Sequence, residues 1–351
     1  MRLISAIALV VGVAFLTILT QVCSADEIEI RGPTVEITNN VTYSWGPKDF
    51  PGFYHETDYK EDQSIITDEF SGPLDYDYDT YSGEYFESQN YGTERINFTI
   101  TNNEFRGTLG GIIYKTEAQL HSFKFKGWRD DYCGYGEGGY FVIGFLGEPY
   151  FAAYNEGSHL YDDSTDESLM RDEQLSKVMI DEACDISLTP GESLVLAEGY
   201  ELKVKDIVQK EHCWNCIYLE LLKDGISVDT GIVEPFKESA IVMDCAYTYE
   251  TDMDQTEDIV IIAVHFKPKY PERDPTSVIV DGIWQISDMP TSIEESVTYG
   301  KMAIQLTDYD RMYLVMENGG NKIELSKNGD IYLMGDIWIR IADQEFYIYR
   351  K

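Results

Sequence analysis

The chain has 351 residues, of which 63 are acidic and 27 basic, giving a formal net charge of −36. Such a charge repels bare nucleic acid and anionic bilayers over a Debye length, so a nucleic-acid partner is excluded. An apolar share of 43% that includes 26 Tyr, 15 Phe and 5 Trp is too rich in core formers for a disordered acidic tail, and the length suits about two domains of roughly 150 residues each.

Arg2, the apolar run Leu3 to Leu19 and the small residues Cys23-Ser24-Ala25 have the order of a secretory signal, so residues 1–25 are expected to be a cleaved signal peptide. The competing reading is an uncleaved anchor, because Leu3 to Val22 is just long enough to span a bilayer. Both readings place the rest of the chain outside the cell. In that setting Asn40-Val41-Thr42 and Asn97-Phe98-Thr99 are N-glycosylation sequons, with Asn40 and Asn97 as the expected acceptors.

Between His55 and Gln89 the composition shifts to Asp, Glu, Tyr and Ser, with Asp75-Tyr76-Asp77-Tyr78-Asp79-Thr80-Tyr81 at the centre. In an extended chain Asp75, Asp77 and Asp79 share one face at intervals of about 7 Å. These are oxygen ligands of the kind calcium or another divalent cation takes, although Thr80 and Phe86 stand where an EF-hand needs glycine and glutamate. A solvated acidic loop is the competing reading, and it also applies to Asp162 to Glu167 and Asp252 to Asp258.

Period-two alternation then recurs along the chain, at Ile96 to Ile100, Tyr200 to Val204, Lys301 to Leu306 and Ile337 to Ile341. Turn signals separate the strands at Asp224-Gly225, Asn318-Gly319, Asn328-Gly329 and Gly335-Asp336. Gly134 to Gly139 precede a strand rather than a helix and read as a turn. Ser168 to Glu182 is the one fair helix candidate, to be weighed against a strand. The run Ile259 to Val264 has no polar side and predicts a central strand covered on both faces.

The fold expected from this pattern is all-β, with two linked antiparallel β-sandwiches. Pro-bounded edges suggest that 186–287 forms one sandwich, inserted into another made of 26–185 plus 288–351. Trp284, Trp338 and Ile259 to Val264 are expected to anchor the cores.

Without Cys23 the cysteines are Cys133, Cys184, Cys213, Cys216 and Cys245, an odd number in a compartment that permits disulfides. Cys213-Trp214-Asn215-Cys216 runs into Ile217 to Leu221, which reads as a strand. A redox pair wants its first thiol at a helix N-terminus, so a structural disulfide of Cys213 and Cys216 at a hairpin end is the stronger reading. A single CxxC does not make a zinc site. Five histidines show no HExxH pair, and neither a GxSxG elbow nor a Walker loop appears. With 63 acids, paired carboxylates carry no signal for glycoside hydrolysis. No enzyme and no organic cofactor is expected, and no second apolar stretch reaches the length of a C-terminal membrane span.

Several strings in order complete this picture: Asn39 to Trp45, Phe50-Pro51-Gly52-Phe53-Tyr54, Phe141 to Glu148 with Tyr150-Phe151-Ala152, Glu198 to Leu202, Leu219 to Gly225, Val280 to Ile286, Tyr299 to Met302 and Met334 to Ile337 with Arg340 to Asp343. Together they resemble the S-layer tile proteins of methanogenic archaea over nearly all of the chain after the leader. The resemblance implies a non-enzymatic cell-surface protein of paired β-sandwiches, whose partners are itself or other S-layer subunits in a porous lattice. Family members typically carry two such repeats, a tether and a membrane helix. One repeat without tether or span is expected here, with roughly Glu56 to Asn90 as an insertion. The alternative is a secreted glycan-binding module in which tyrosines such as Tyr76 and Tyr78 stack on surface glycans.

Overall fold

The computed structural model describes residues 29–38, 41–54, 94–101, 108–124, 139–155, 160, 168–210, 213–235, 245–254, 256–267, 276–319, 323–324, 328–343 and 345–351. The leader 1–25, Asn40, the acidic stretch with Asp75, Asp77 and Asp79, and Cys133 lie outside them.

The described chain is all-β. Its strands are, in order, β1 (Ile30–Arg31), β2 (Val35–Glu36), β3 (Thr42–Trp45), β4 (Arg95–Thr101), β5 (Thr108–Glu117), β6 (Gln119–Ser122), β7 (Gly139–Phe145) and β8 (Glu148–Tyr154). The middle of the chain supplies β9 (Gln174–Leu188), β10 (Ser193–Val195), β11 (Tyr200–Lys210), β12 (Cys213–Lys223), β13 (Ile226–Val233), β14 (Ala246–Met253), β15 (Thr256–Phe266) and β16 (Val278–Ile286). The last part adds β17 (Thr291–Ser292), β18 (Thr298–Tyr299), β19 (Met302–Asp308), β20 (Tyr313–Glu317), β21 (Ile323–Glu324), β22 (Asp330–Met334), β23 (Ile337–Ala342) and β24 (Glu345–Arg350).

Every pairing is antiparallel, and the strands form four sheets. One runs β10-β11-β12-β13, and the largest runs β14-β15-β16-β9-β8-β7-β6 with β17 beside β9. A third runs β18-β19-β20-β5-β4-β3 with β21 on β5, and the last runs β1-β24-β23-β22 with β2 on β24. The predicted turns sit where alternation breaks. Asp224 and Gly225 have φ of 51° and 77°, which gives the two-residue hairpin between β12 and β13 the twist its strands require.

Two apolar cores hold the sheets. The first gathers Leu202, Val204, Ile217, Leu219 and Leu221 of the four-stranded sheet against Ile259 to Val264, Phe266 and Trp284. All six residues from Ile259 to Val264 are buried, as expected for a strand covered on both faces. The second core joins Ile96, Phe98, Ile112, Tyr114, Ile304 and Leu314 to Leu333, Ile337, Ile339, Phe346 and Ile348. Burying each such side chain contributes about 1.5–3 kcal/mol, which offsets the chain entropy lost on ordering the strands.

Strands β7 and β8 serve both cores. Tyr140, Val142 and Phe151 point into the first, while Ile143, Phe145 and Ala152 point into the second. Residues 188–286 supply most of the first core, joined by Phe123 to Leu169, and the segment from Thr291 onward pairs with β1, β2, β5 and β9.

Two expectations change here. Ser168 to Glu182 contains no helix: Ser168 to Glu173 turn, and Gln174 opens the fifteen-residue β9. Strand β9 pairs with β8 through Ser176 and Lys177 and with β16 from Val178 to Leu188, and these ladder bonds outweigh local propensity. Trp338 is not a core anchor. It pairs with Tyr332 and Tyr349 on the outer face of its sheet and lies half-buried beneath Lys351, whose Nζ is 4.7 Å from the ring centre.

Candidate functional site

The strings that recur along the sequence converge in space on two buried polar ties. At the first, Glu94 enters β4 fully buried in the second core's neighbourhood, and its carboxylate accepts three hydrogen bonds. Tyr54 N donates at 2.6 Å, the Tyr114 hydroxyl at 2.7 Å and Gly147 N at 2.8 Å. Tyr54 is delivered by a compact turn in which Phe50 N bonds Gly46 O at 2.9 Å and the Phe50 and Phe53 rings meet edge to face at 4.9 Å.

Gly147 ends the tight turn between β7 and β8 at φ 85°, where a Cβ would lie 2.5 Å from Gly52 O. Only glycine allows that approach. Arg350 closes the tie from the C-terminal strand, donating to Gly147 O at 2.8 Å and pairing with Glu148. Gly335 packs beside Leu146, and Lys301 N bonds Leu333 O at 2.7 Å, so the late strings reach the same place.

Burial raises the Glu94 carboxyl to about 7 against the pull of its three donors and Arg350. Burial and the neighbouring Glu94 charge likewise push Tyr114 upward. A carboxylate that receives two backbone amides and a buried phenol acts as a clamp on three chain segments.

The second tie links the four-stranded sheet to β16. Glu198 accepts from Ser287 Oγ at 2.6 Å and Asp288 N at 3.1 Å, while the Gln285 amide bonds both Ala197 N and Ala197 O at 2.8 and 3.1 Å. Tyr200 donates to Asp288 at 2.7 Å, and Lys223 pairs with the same carboxylate. Burial pushes Asp288 up, but the bonds from Lys223 and Tyr200 outweigh it and hold the carboxyl below its ordinary value.

Of the predicted site residues, Asn40, Asp75, Asp77 and Asp79 lie outside the described residues. Asn97 lies on β4 between the buried Ile96 and Phe98, so alternation turns it to the outer face of the sheet. Cys213 opens β12. Cys216 is buried and disulfide-bonded, Cys184 is a part-exposed free thiol, and Cys245 is buried with its Sγ toward Pro235 O at 3.8 Å. Across the ladder Cys213 faces Lys210 and Cys216 faces Val208, on either side of a register shift in β11. Burial and the carboxylates of Asp281, Glu182 and Asp185 push the Cys184 thiol up to about 11.

Non-reducing peptide mapping is therefore expected to find Cys216 in a disulfide. Cys184 should alkylate slowly at pH 7 and fast only after denaturation, and rapid native alkylation would contradict this reading. Among the described residues no group of three His, Cys, Asp or Glu is placed to hold a metal ion, and no helix is long and apolar enough to cross a membrane.

Stacked sheets, two filled cores and polar ties that fasten hairpin tips define an architectural all-β module. The chain belongs to the S-layer protein family, whose profile matches residues 34–343. It is 25% identical over 341 residues to the major S-layer protein of Methanosarcina barkeri (strain Fusaro), covering 91% of this chain and 47% of that protein. The major S-layer protein of Methanosarcina acetivorans is 24% identical over 353 residues, with the same 91% and 47% shares. That of Methanosarcina mazei is 24% identical over 289 residues, 74% of this chain and 38% of the relative. The chain thus spans about half the length, or less, of these curated relatives.

Proposed function

We propose that the protein is a structural subunit of an archaeal cell-surface layer, exported and built into or onto an acidic, porous lattice, and that it acts as building material rather than as an enzyme. The observation that carries this reading is the family match across residues 34–343. The net charge of −36 fits it: pores lined by such subunits draw small cations inward and exclude polyanions. Calcium or another divalent cation then screens the repulsion between neighbours, with Asp75, Asp77 and Asp79 as the proposed ligands. Asn97, on an outward sheet face, and Asn40 are the proposed glycan sites.

Mass spectrometry of fractionated cells tests this. The chain is expected in the envelope fraction, with glycan mass on the peptides of Asn40 and Asn97. Recovery only from cytosol, without glycans, would contradict it.

A further inference from the structure

Strand β13 is the terminal strand of its sheet, bonded to β12 alone. Among the described residues no backbone hydrogen bond reaches its other edge. Its side chains are β-branched and unusually exposed: Ile226 is 70% exposed, Val228 42% and Ile232 56%. Proteins usually blunt such an edge with lysine, proline or a covering loop. Here the only ionisable side chain from Ile226 to Val233 is Asp229, and its carboxylate turns away to accept from the Tyr247 hydroxyl at 2.6 Å. Gly231 lets the inner face of β13 lie against the Tyr247 ring, where a Cβ would sit 2.8 Å from ring carbons. The inner face is therefore packed, and among the described residues the outer face and edge are open.

Charge selects the occupant. Two copies of a chain of net charge −36 repel nearly everywhere they touch, so contact is cheapest where carboxylates are fewest or already paired. The β13 edge meets that condition from Ile226 to Val233: the outward Glu220 opposite Thr230 is paired with Lys205 at 2.7 Å, and the next carboxylate along the chain, Glu234, follows the end of the strand. An anionic or cationic partner gains nothing from such a strand, whereas an identical strand supplies matching backbone groups and apolar side chains.

We infer that β13 is the contact at which a second copy of this chain adds its own β13, antiparallel, across a two-fold axis at Thr230. This rests on the lattice reading above and names the contacting surface. In that register Val228 faces Ile232 of the second copy on the outer side, and Asp229 faces Gly231 rather than another carboxylate. A two-residue slip, with the axis moved to Asp229, would set the two Asp229 residues opposite each other, and a one-residue slip would move the apolar rows out of step. The irregularity between Ser227 and Asp229 on β13 ends the straight stretch, so the paired strands are short. A contact this small is weak alone and needs other contacts in an array.

The test uses the full exported chain with Cys184→Ser to remove the part-exposed free thiol. Thr230→Cys in that background is expected to form disulfide-linked dimers under mild oxidation. Glu201→Cys, on the outer face of the same sheet away from the edge, should not. Ile232→Asp should weaken cation-promoted association at least tenfold, with circular dichroism confirming that the variant folds. If Thr230→Cys stays uncrosslinked, or Glu201→Cys crosslinks equally, the edge contact is wrong. If the parent chain assembles and Ile232→Asp assembles as well, the edge contact falls and the lattice reading stands. A parent chain that remains monomeric at every cation level and is missing from the envelope overturns both.

Discussion

Trp284→Ala is expected to lower the unfolding free energy by about 3–5 kcal/mol, the range for truncating a large buried aromatic side chain. Trp284 is fully buried, and four rings surround it: Tyr140, Phe123, Phe151 and Tyr154, with centroids 5.6, 5.8, 5.8 and 6.1 Å away. It stands in β16 between Ala263 of β15 and Asp181 of β9, where the largest sheet curls so that β16 meets β7 and β8. The backbone ladders on both sides prevent collapse into the hole. Each ring therefore loses packing partners without gaining new ones. Denaturant unfolding followed by circular dichroism measures the change, and Trp284→Phe, which keeps an aromatic ring, should lose clearly less. A loss below about 1 kcal/mol for the alanine variant would mean that the first core is not organised around this residue.

Glu94→Ala is expected to cost about as much, roughly 3–5 kcal/mol, for a different reason. It leaves Tyr54 N, Gly147 N and the Tyr114 hydroxyl buried without their acceptor. Glu94 also gives the protein a particular pH dependence. Its carboxyl titrates near 4.5 in the unfolded chain and about 7 in the folded one. Between those values the folded state keeps a proton that the unfolded state releases, so this group's contribution is full below about pH 4.5 and is lost as pH rises to about 7, a change on the order of 3 kcal/mol.

Glu148, Asp288 and Asp330 work in the opposite sense. Burial raises Glu148 and Asp288, but bonds from Arg350 and Lys223 respectively outweigh it, and the bond from Arg340 lowers Asp330. All three end below their ordinary values, and their stabilisation fades only as pH falls through that lower range. Comparing parent and Glu94→Gln unfolding at pH 5 and pH 8 separates the two effects. The gap between the curves should narrow toward pH 8, and a constant gap would contradict the assignment.

Much of this fold was legible in the sequence because period-two patterning and turn chemistry are local. Ile259 to Val264 announced a doubly covered strand by lacking any polar side, and Asp224-Gly225 and Gly335-Asp336 marked hairpin tips, whereas Asn318-Gly319 is no hairpin and only interrupts the line that β20 and β21 form along the same edge of β5. Partner choice was not legible. Nothing in Gln174 to Leu188 tells that its first two residues pair with β17, Ser176 and Lys177 with β8 and the rest with β16, and without those ladders Ser168 to Glu182 reads equally as a helix. Trp338 shares its phase with Arg340, opposite Ile337, Ile339 and Ile341, so alternation itself places it outward and only its size suggested a core anchor.

The buried ties were hidden for another reason. Glu94 is one of 63 acids, and its sequence neighbourhood does not distinguish it. Its donors come from Tyr54, Tyr114 and Gly147, and only the folded chain brings these together. The signal that could have pointed there was the set of family-like strings, because Phe50 to Tyr54, Phe141 to Glu148 and Met334 to Ile337 all end beside that carboxylate or its turn.

The central claim is that the protein works by shape and mutual contact. Electron microscopy of the purified, exported chain, titrated with calcium from none to millimolar, tests it most directly. Ordered two-dimensional arrays that form as the cation is added and disperse when it is chelated are the predicted result, whereas single particles at every calcium level, with the fold intact, would contradict it.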